Sequence, residues 1–156
     1  MTPSGLVKGW AINNAARLLQ ELGCTDFYVD VGGDVQVAGR SGGGEEWSIG
    51  IRNPFVRGEI LKVIYPRGRG VATSGTYIRG DHIYDPHTGA APAAHLVSLT
   101  VVGPDVYEAD RFATAAFAMG GRGLAFIEGL EGFEAYAVER GGTAVMTSGF
   151  EQYTTL

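Results

Sequence analysis

The sequence predicts an α+β fold, a largely antiparallel mixed sheet with helices packed on it. Two segments, residues 9–22 and 106–119, carry apolar residues at helical spacing. The apolar stretches elsewhere are short and are mostly separated by glycine-rich turns, which is typical of hairpins. Because regular βαβ alternation is absent from the pattern, the helices are expected to cover one face of an antiparallel sheet.

Helix boundaries follow from the breakers in the sequence. The helix predicted over residues 9–22 stops at Gly23, a residue type that often ends helices. The helix predicted over 106–119 follows Gly103-Pro104-Asp105, and a short third helix is predicted over 122–130.

Strands are predicted where apolar or β-branched runs are bounded by Gly, Pro, Asn or Asp. Gly32-Gly33-Asp34 is predicted to form the turn of a hairpin, and Thr73-Ser74-Gly75 to follow the end of a strand. The predicted strands are residues 27–31, 35–38, 47–52, 60–65, 71–73, 97–102, 133–138 and 143–147.

Composition indicates one domain over residues 1–156, of which 45% are hydrophobic. The net charge is −5 and there is no Lys/Arg run, so nucleic-acid binding is not expected. No transmembrane run and no signal-peptide pattern are visible, which makes the cytoplasm the default location. The single cysteine, Cys24, is expected to be a buried structural thiol.

Asp110 and Thr114 stand four residues apart on a predicted helix, so both side chains leave one face. Carboxylate and hydroxyl oxygens suit Mg²⁺, a hard cation that leaves room for water and phosphate. The alternative is structural: an Asp near a helix start interacts with the dipole, and a helical Thr bonds its own backbone. Spacing alone favours that alternative.

His82 and Asp85 lie close together in a loop-rich segment. A histidine can act as a general base or bond a phosphate oxygen, and an aspartate can orient it. A surface loop stabilised by the Asp side chain explains the pair equally well, so both interpretations stay open.

Three further segments have a ligand-binding and a structural interpretation. Thr73-Ser74-Gly75 could offer backbone N–H groups to a phosphate, or could simply be a turn. Lys8-Gly9, placed just before the first predicted helix, could bind an anion, or Lys8 could be solvated. Gly32-Gly33-Asp34 could admit a ligand or form a plain turn. Core packing is expected for Trp10.

Taken in order, these segments resemble the FAD:protein FMN transferase family, historically called ApbE or thiamine-biosynthesis lipoproteins. The most specific string is His82-Ile83-Tyr84-Asp85-Pro86-His87-Thr88-Gly89, and Ala109-Asp110-Arg111-Phe112-Ala113-Thr114-Ala115 is next. The other matching segments are Val7-Lys8-Gly9-Trp10-Ala11, Val31-Gly32-Gly33-Asp34, Trp47-Ser48-Ile49-Gly50-Ile51-Arg52, Val71-Ala72-Thr73-Ser74-Gly75 and Ser98-Leu99-Thr100-Val101.

The resemblance implies an enzyme that uses Mg²⁺ to transfer FMN from FAD to a Thr or Ser hydroxyl of an acceptor protein, with AMP as the other product. FAD and Mg²⁺ would be its cofactors and the acceptor protein its partner. By resemblance, Asp110 and Thr114 would be side-chain metal ligands. A backbone carbonyl near Val7 would be a third ligand.

The resemblance also implies the residues around the flavin nucleotide. His82 and Asp85 would be catalytic. The residues implied to bind the cofactor are Lys8, Asn13, Thr73, Ser74, Gly75, His82 and Thr88. Asn13 departs from the family pattern, which usually has an Asp there.

Members of this family are typically about twice as long and are often exported. The chain is therefore expected to lack the family's N-terminal portion. Two alternatives to transfer stay open: hydrolysis of the FAD pyrophosphate to FMN and AMP, and a non-catalytic remnant that binds flavin or has a structural role. For such a remnant, a homodimer would cover the exposed apolar surface.

Overall fold

The computed structural model describes residues 4–76 and 96–155. The helices are α1 (Ser4–Glu21), α2 (Val106–Ala118) and α3 (Gly123–Glu128), with 3-10 turns at Gly120–Arg122 and Phe150–Tyr153. The strands are β1 (Phe27–Val31), β2 (Asp34–Ala38), β3 (Ile49–Arg52), β4 (Ile60–Ile64), β5 (Gly70–Gly75), β6 (Leu96–Gly103), β7 (Glu134–Glu139) and β8 (Ala144–Met146). Within these ranges, no helix combines the length and apolar character needed to cross a membrane.

Six strands form one sheet in the order β1-β2-β5-β6-β7-β8, and every neighbouring pair is antiparallel. β6 lies inside the sheet, and all eight of its residues are buried. β3 and β4 form a separate two-stranded sheet. This architecture confirms the predicted α+β class.

The sheet has a core on each face. On the helical face, Leu99 and Val101 of β6 belong to the same cluster as Ala113 and Phe117 of α2 and Ile127 of α3. The other face carries a second cluster beneath the β3–β4 hairpin and the C-terminal turn. Its buried members are Ile51, Ile64, Val71, Val102, Tyr136, Val138, Phe150 and Tyr153. The helices therefore cover one face, as the pattern predicts, and a hairpin covers the other.

The start of α2 is fixed to the sheet by three local contacts. The Asp105 carboxylate caps the first turn of the helix. The buried side chain of Gln36 on β2 accepts a hydrogen bond of 2.8 Å from the N–H of Val106. Gly70 of β5 packs directly under Val106, where a Cβ atom would lie 2.0 Å from its nitrogen. These contacts fix the position of α2, which carries Asp110.

The first helix begins earlier than the pattern predicts. α1 starts at Ser4, so Lys8 and Gly9 lie inside the helix and not ahead of its N-terminus. The expectation of an anion site at a helix N-terminus is therefore wrong. Gly9, predicted as the first residue of this helix, lies in its interior, where it makes a close contact with α2.

Two turn predictions also need correction. Thr73-Ser74-Gly75 does not follow a strand but forms the last part of β5, because pairing with β6 continues as far as Gly75↔Ser98. Asp34 opens β2, so Gly32 and Gly33 alone make the turn, with φ angles of 65° and 95° that suit glycine.

Two burial predictions are wrong as well. Cys24 is exposed, since it lies just past the end of α1. Trp10 is 58% exposed because Ile12 and Ala16 form the buried side of α1. A residue two positions from Ile12 is rotated by about 200° around the helix and therefore faces away from that side.

Candidate active site

Polar side chains from four elements converge beside the N-terminal half of α1. Lys8 comes from α1, Asp34 from β2, Ser74 from β5, and Asp110 and Thr114 from α2, and the backbone N–H of Thr73 on β5 joins them. The antiparallel sheet and the capped start of α2 bring together residues that are more than 100 positions apart in the chain.

Asp110 is 6% exposed, and its Oδ2 accepts a hydrogen bond of 2.9 Å from the backbone N–H of Gly9. The two helices approach so closely here that a Cβ atom at Gly9 would lie 2.8 Å from Asp110 Cβ. The same atom would lie 3.0 Å from the carbonyl oxygen of Val106. The glycine is therefore what allows α1 to donate to the Asp110 carboxylate.

Replacing Gly9 with Ala should displace Asp110. The added methyl group must push α1 away from α2, and such overpacking costs about 1–3 kcal/mol, partly offset by the higher helix propensity of Ala. We expect a variant that stays folded by circular dichroism but unfolds at a lower urea concentration than the wild type.

Gly141→Ala is the matched control, because a Cβ there meets no atom within 4 Å. A Gly9→Ala protein as stable as the wild type would contradict the close approach of α1 and α2 at this contact.

Hydroxyl groups occur on both faces of the sheet at β5. Thr73 Oγ1 lies 2.9 Å from Thr100 Oγ1 on the neighbouring strand β6. Because Thr100 alternates with Leu99 and Val101 of the helical-face core, this pair lies on the face away from α2. Ser74 Oγ lies 3.4 Å from Thr114 Oγ1, a long contact that brings β5 and α2 together. Thr114 is half-buried, one turn after Asp110. Carboxylate and hydroxyl oxygens therefore occur side by side on α2 and β5.

Asp34 is the deepest charged group in the cluster, with 1% of its surface exposed. Its Oδ2 is 2.7 Å from Lys8 Nζ, an ion pair between β2 and α1. Its Oδ1 accepts a hydrogen bond of 3.0 Å from the backbone N–H of Thr73 on β5. One carboxylate thus links three elements of the fold.

Burial raises the pKa of Asp34 from 3.8 to about 6. The nearby Asp110 charge acts in the same direction, whereas the Lys8 ammonium and the Thr73 N–H act against it. Between those two pH values the native carboxyl keeps its proton, but the unfolded one has lost it. Raising the pH through this window therefore removes stability.

This shift predicts a pH-dependent effect of Asp34→Asn. With about 1.4 kcal/mol for each pH unit, the wild-type chain should lose about 2 kcal/mol relative to the variant between pH 4 and pH 7. Urea denaturation of both proteins at the two pH values measures the difference. A stability difference that is the same at pH 4 and pH 7 would contradict the raised pKa.

Of the residues implied by the resemblance, the structure brings together Lys8, Thr73, Ser74, Asp110 and Thr114. Three others lie on the same elements, with Val7 and Asn13 on α1 and Gly75 at the end of β5. The remaining three, His82, Asp85 and Thr88, lie outside the described residues.

Asp34 is the site residue that sequence reasoning missed. The segment Gly32-Gly33-Asp34 was interpreted either as admitting a ligand or as a plain turn, and no role was given to the Asp side chain. The local pattern gives no signal for its burial, because Asp34 and Gln36 alternate with Val35 and Val37, which is typical of a polar strand face. Both polar side chains are buried in the fold, and Asp34 has the Lys8 ammonium as its partner.

The donor set can be tested against a divalent cation. In residues 4–76 and 96–155, no three His, Cys, Asp or Glu side chains group closely enough to hold a metal. Mg²⁺ does not require such a group, because one or two carboxylates, water and substrate phosphates commonly complete its six positions. Asp110 and Thr114 supply hard oxygen donors on one face of α2, which fits that coordination.

Comparison with known proteins shows which family this chain resembles. The sequence model of the ApbE family matches residues 1–137. The FAD:protein FMN transferase of Vibrio cholerae is 34% identical over 135 residues, which are 80% of this chain and 40% of that protein. The FAD:protein FMN transferase of Escherichia coli K12 is 30% identical over 149 residues, 90% of this chain and 42% of that protein.

Solved structures show the same fold. The ApbE protein of Thermotoga maritima superposes with a TM-score of 0.87 at 29% identity, covering 100% of this chain and 54% of that one. The flavin transferase ApbE of Vibrio cholerae superposes with a TM-score of 0.84 at 30% identity. The match covers 96% of this chain and 51% of that one. The apo form of the flavinyl transferase ApbE of Pseudomonas stutzeri superposes with a TM-score of 0.85 at 28% identity. The match covers 100% of this chain and 51% of that one.

The chain spans about half the length of the relatives it matches. The match nevertheless includes every described element of the cluster, since the family model extends from α1 through α2 into β7. Family model, relatives and fold agree, and the chain belongs to the ApbE family.

Proposed function

We propose that this chain carries the metal and phosphate side of an FAD:protein FMN transferase, which moves FMN from FAD to a hydroxyl of an acceptor protein. The observation that supports the proposal most directly is the convergence of Lys8, Asp34, Ser74, Asp110 and Thr114 from four elements of an ApbE fold. The names of the relatives supply the reaction.

The reaction balances as a phosphoryl-type transfer. The acceptor hydroxyl oxygen forms a bond to the phosphorus of the FMN half of FAD, and the P–O bond of the pyrophosphate breaks. AMP leaves with the bridging oxygen, and the hydroxyl proton passes to a base. No oxidant or reductant is needed. The requirements are in-line positioning and neutralisation of charge on the phosphates.

Asp110 and Thr114 are the residues proposed to hold Mg²⁺, with a backbone carbonyl near Val7 as a third donor. A bound Mg²⁺ would neutralise charge on the phosphates and orient the P–O bond. The Gly9 N–H fixes the Asp110 carboxylate on the α1 side, which limits the rotamers available to this ligand.

The phosphate side of the site is assigned to α1 and β5. The Lys8 ammonium supplies a positive charge beside the cluster, and Asn13 lies one turn after Gly9 on the same helix. At the end of β5, Ser74 supplies a hydroxyl on the face of α2, and the backbone of Thr73 and Gly75 supplies a close approach to the phosphates. Together these groups are proposed to line the FAD site.

The proton-transfer roles are assigned to His82 and Asp85, with Thr88 beside the pyrophosphate, on the family motif alone. His82→Asn and His82→Ala should both slow transfer, and circular dichroism should show that both variants are folded. Whether the His or the Asp accepts the hydroxyl proton is decided by the pH–rate profiles of the two single variants.

The test is transfer itself. The chain is incubated with FAD, Mg²⁺ and a protein carrying a flavinylation motif of the family, and the acceptor is analysed by intact mass. A mass increase equal to one FMN, together with AMP, supports the proposal. Free FMN and AMP with an unlabelled acceptor would mean hydrolysis instead. No AMP from a folded sample would favour a non-catalytic remnant.

A further inference from the structure

Asp34 stands where the pairing of two strands ends. β2 pairs with β5 at Gln36↔Gly70 and Val35↔Val71, whereas β5 continues along β6 as far as Gly75. The N–H of Thr73 therefore lies past the end of the β2–β5 ladder, and the Asp34 side chain accepts its hydrogen bond. Asp34 anchors the part of β5 that is proposed to line the FAD site.

The other oxygen of the same carboxylate contacts the Lys8 ammonium at 2.7 Å. The Lys8 side chain is 27% exposed and that of Asp34 1% exposed. The lysine side chain is therefore partly open to solvent, whereas the carboxylate is not. Asp34 is placed to act on a ligand only through the groups that it holds.

Comparing Asp with Asn at position 34 separates the two roles of this side chain, which are anchoring β5 and pairing with Lys8. An Asn at this position would still offer Oδ1 to the Thr73 N–H and would avoid the cost of burying a charge. What only a carboxylate supplies is an ion-pair partner for Lys8. Accepting the Thr73 N–H does not require a negative charge at position 34, whereas forming an ion pair with the Lys8 ammonium does.

We propose that Asp34 is a positioning residue for the proposed flavin transfer: it holds the Lys8 ammonium in one place, beside the Thr73 end of β5, to receive the pyrophosphate of FAD. The inference rests on the proposed function. A lysine side chain has a large rotamer entropy, so a lysine fixed before binding loses less freedom when a phosphate arrives. Asp34 provides that preorganisation.

A double-mutant cycle tests the inference through FAD binding. The dissociation constant is measured by flavin fluorescence in EDTA, and in Mg²⁺ over times too short for AMP release. The proteins are the wild type, Asp34→Asn, Lys8→Met and the double variant. We expect Asp34→Asn to weaken FAD binding about tenfold in the wild-type background and less than about twofold with Met at position 8, because coupled residues are not additive.

Two controls separate positioning from folding. Amide hydrogen exchange at Thr73 should stay slow in Asp34→Asn, since the Asn oxygen still accepts from it. Glu46→Gln makes the same chemical change in the more exposed Arg40–Glu46 ion pair and should leave FAD binding unchanged.

Equal weakening by Asp34→Asn in both backgrounds would overturn the inference, because Asp34 would then not act through Lys8. Tighter FAD binding by Asp34→Asn would also overturn it, since the carboxylate would then compete with the phosphate for the lysine. A wild-type chain that binds FAD while Asp34→Asn binds equally well contradicts this inference alone. A folded wild-type chain that binds no FAD contradicts the proposed function as well.

Discussion

Asp110→Asn should abolish the metal-dependent release of AMP from FAD while leaving the chain folded. The Asn side chain can still accept the hydrogen bond from the Gly9 N–H, so the contact between α1 and α2 is kept. What it loses is the negative charge proposed to hold Mg²⁺. Since a bound metal contributes several kcal/mol to charge stabilisation, the rate should fall by at least about 100-fold.

Glu108→Gln is the control for this variant. It makes the same carboxylate-to-amide change on the same helix, in a partly exposed pair with Arg111. Its AMP release should match the wild type. Activity retained in Asp110→Asn would remove Asp110 as a metal ligand, and a loss that also appears in Glu108→Gln would point to a general effect on α2.

Of the substitutions discussed, Gly70→Ala should cause the largest loss of stability. A Cβ at this position would lie 2.0 Å from the nitrogen and 2.4 Å from the Cα of Val106, and 2.2 Å from the carbonyl carbon of Asp105. All three atoms are backbone, so no side chain can rotate away. We expect a cost at or above the upper end for overpacking, about 3 kcal/mol, and a melting temperature lower by about 10 °C.

Gly121→Ala is the matched control, because a Cβ there meets no atom within 4 Å and its φ is not in the left-handed region. Thermal unfolding followed by circular dichroism compares the two. A Gly70→Ala protein that melts with the wild type would show that α2 does not rest on β5 as described. The Gln36–Val106 hydrogen bond should be lost along with that contact.

Elements with strong local patterns were predictable from the sequence. α2 was predicted at 106–119 and is observed at Val106–Ala118, because its apolar spacing and the Asp105 cap are both encoded within a few residues. β1 was predicted at its observed bounds, since Gly32-Gly33 forces a tight turn after it.

The errors occurred where a distant residue determines the local structure. The first helix was predicted to begin at Gly9 but begins at Ser4, and Gly9 lies inside it against Asp110, 101 positions away in the chain. Asp34 reads as a turn residue for the same reason, since the Thr73 N–H that it accepts from lies 39 positions away. Residue spacing along the chain does not contain these pairings, which depend on the order of strands in the sheet.

In the candidate site, too, the local features were predictable from the sequence and the long-range contacts were not. The i, i+4 relation of Asp110 and Thr114 is local and was predicted from spacing, although the chemistry assigned to the pair came from the family resemblance. The contact of Ser74 with Thr114 depends on the tertiary structure. So does the pairing of Lys8 with a buried carboxylate. The resemblance named these segments, but only the structure shows how they are held together.

The measurement that tests the central claim most directly is the chromatographic detection of AMP after incubating the purified chain with FAD, in Mg²⁺ and in EDTA. The account predicts AMP in Mg²⁺ and none in EDTA, with Asp110→Asn inactive in both. AMP formed equally in EDTA would contradict the metal role of α2. No AMP in Mg²⁺ from a chain shown to be folded would contradict the claim that this half of an ApbE protein carries the reacting site.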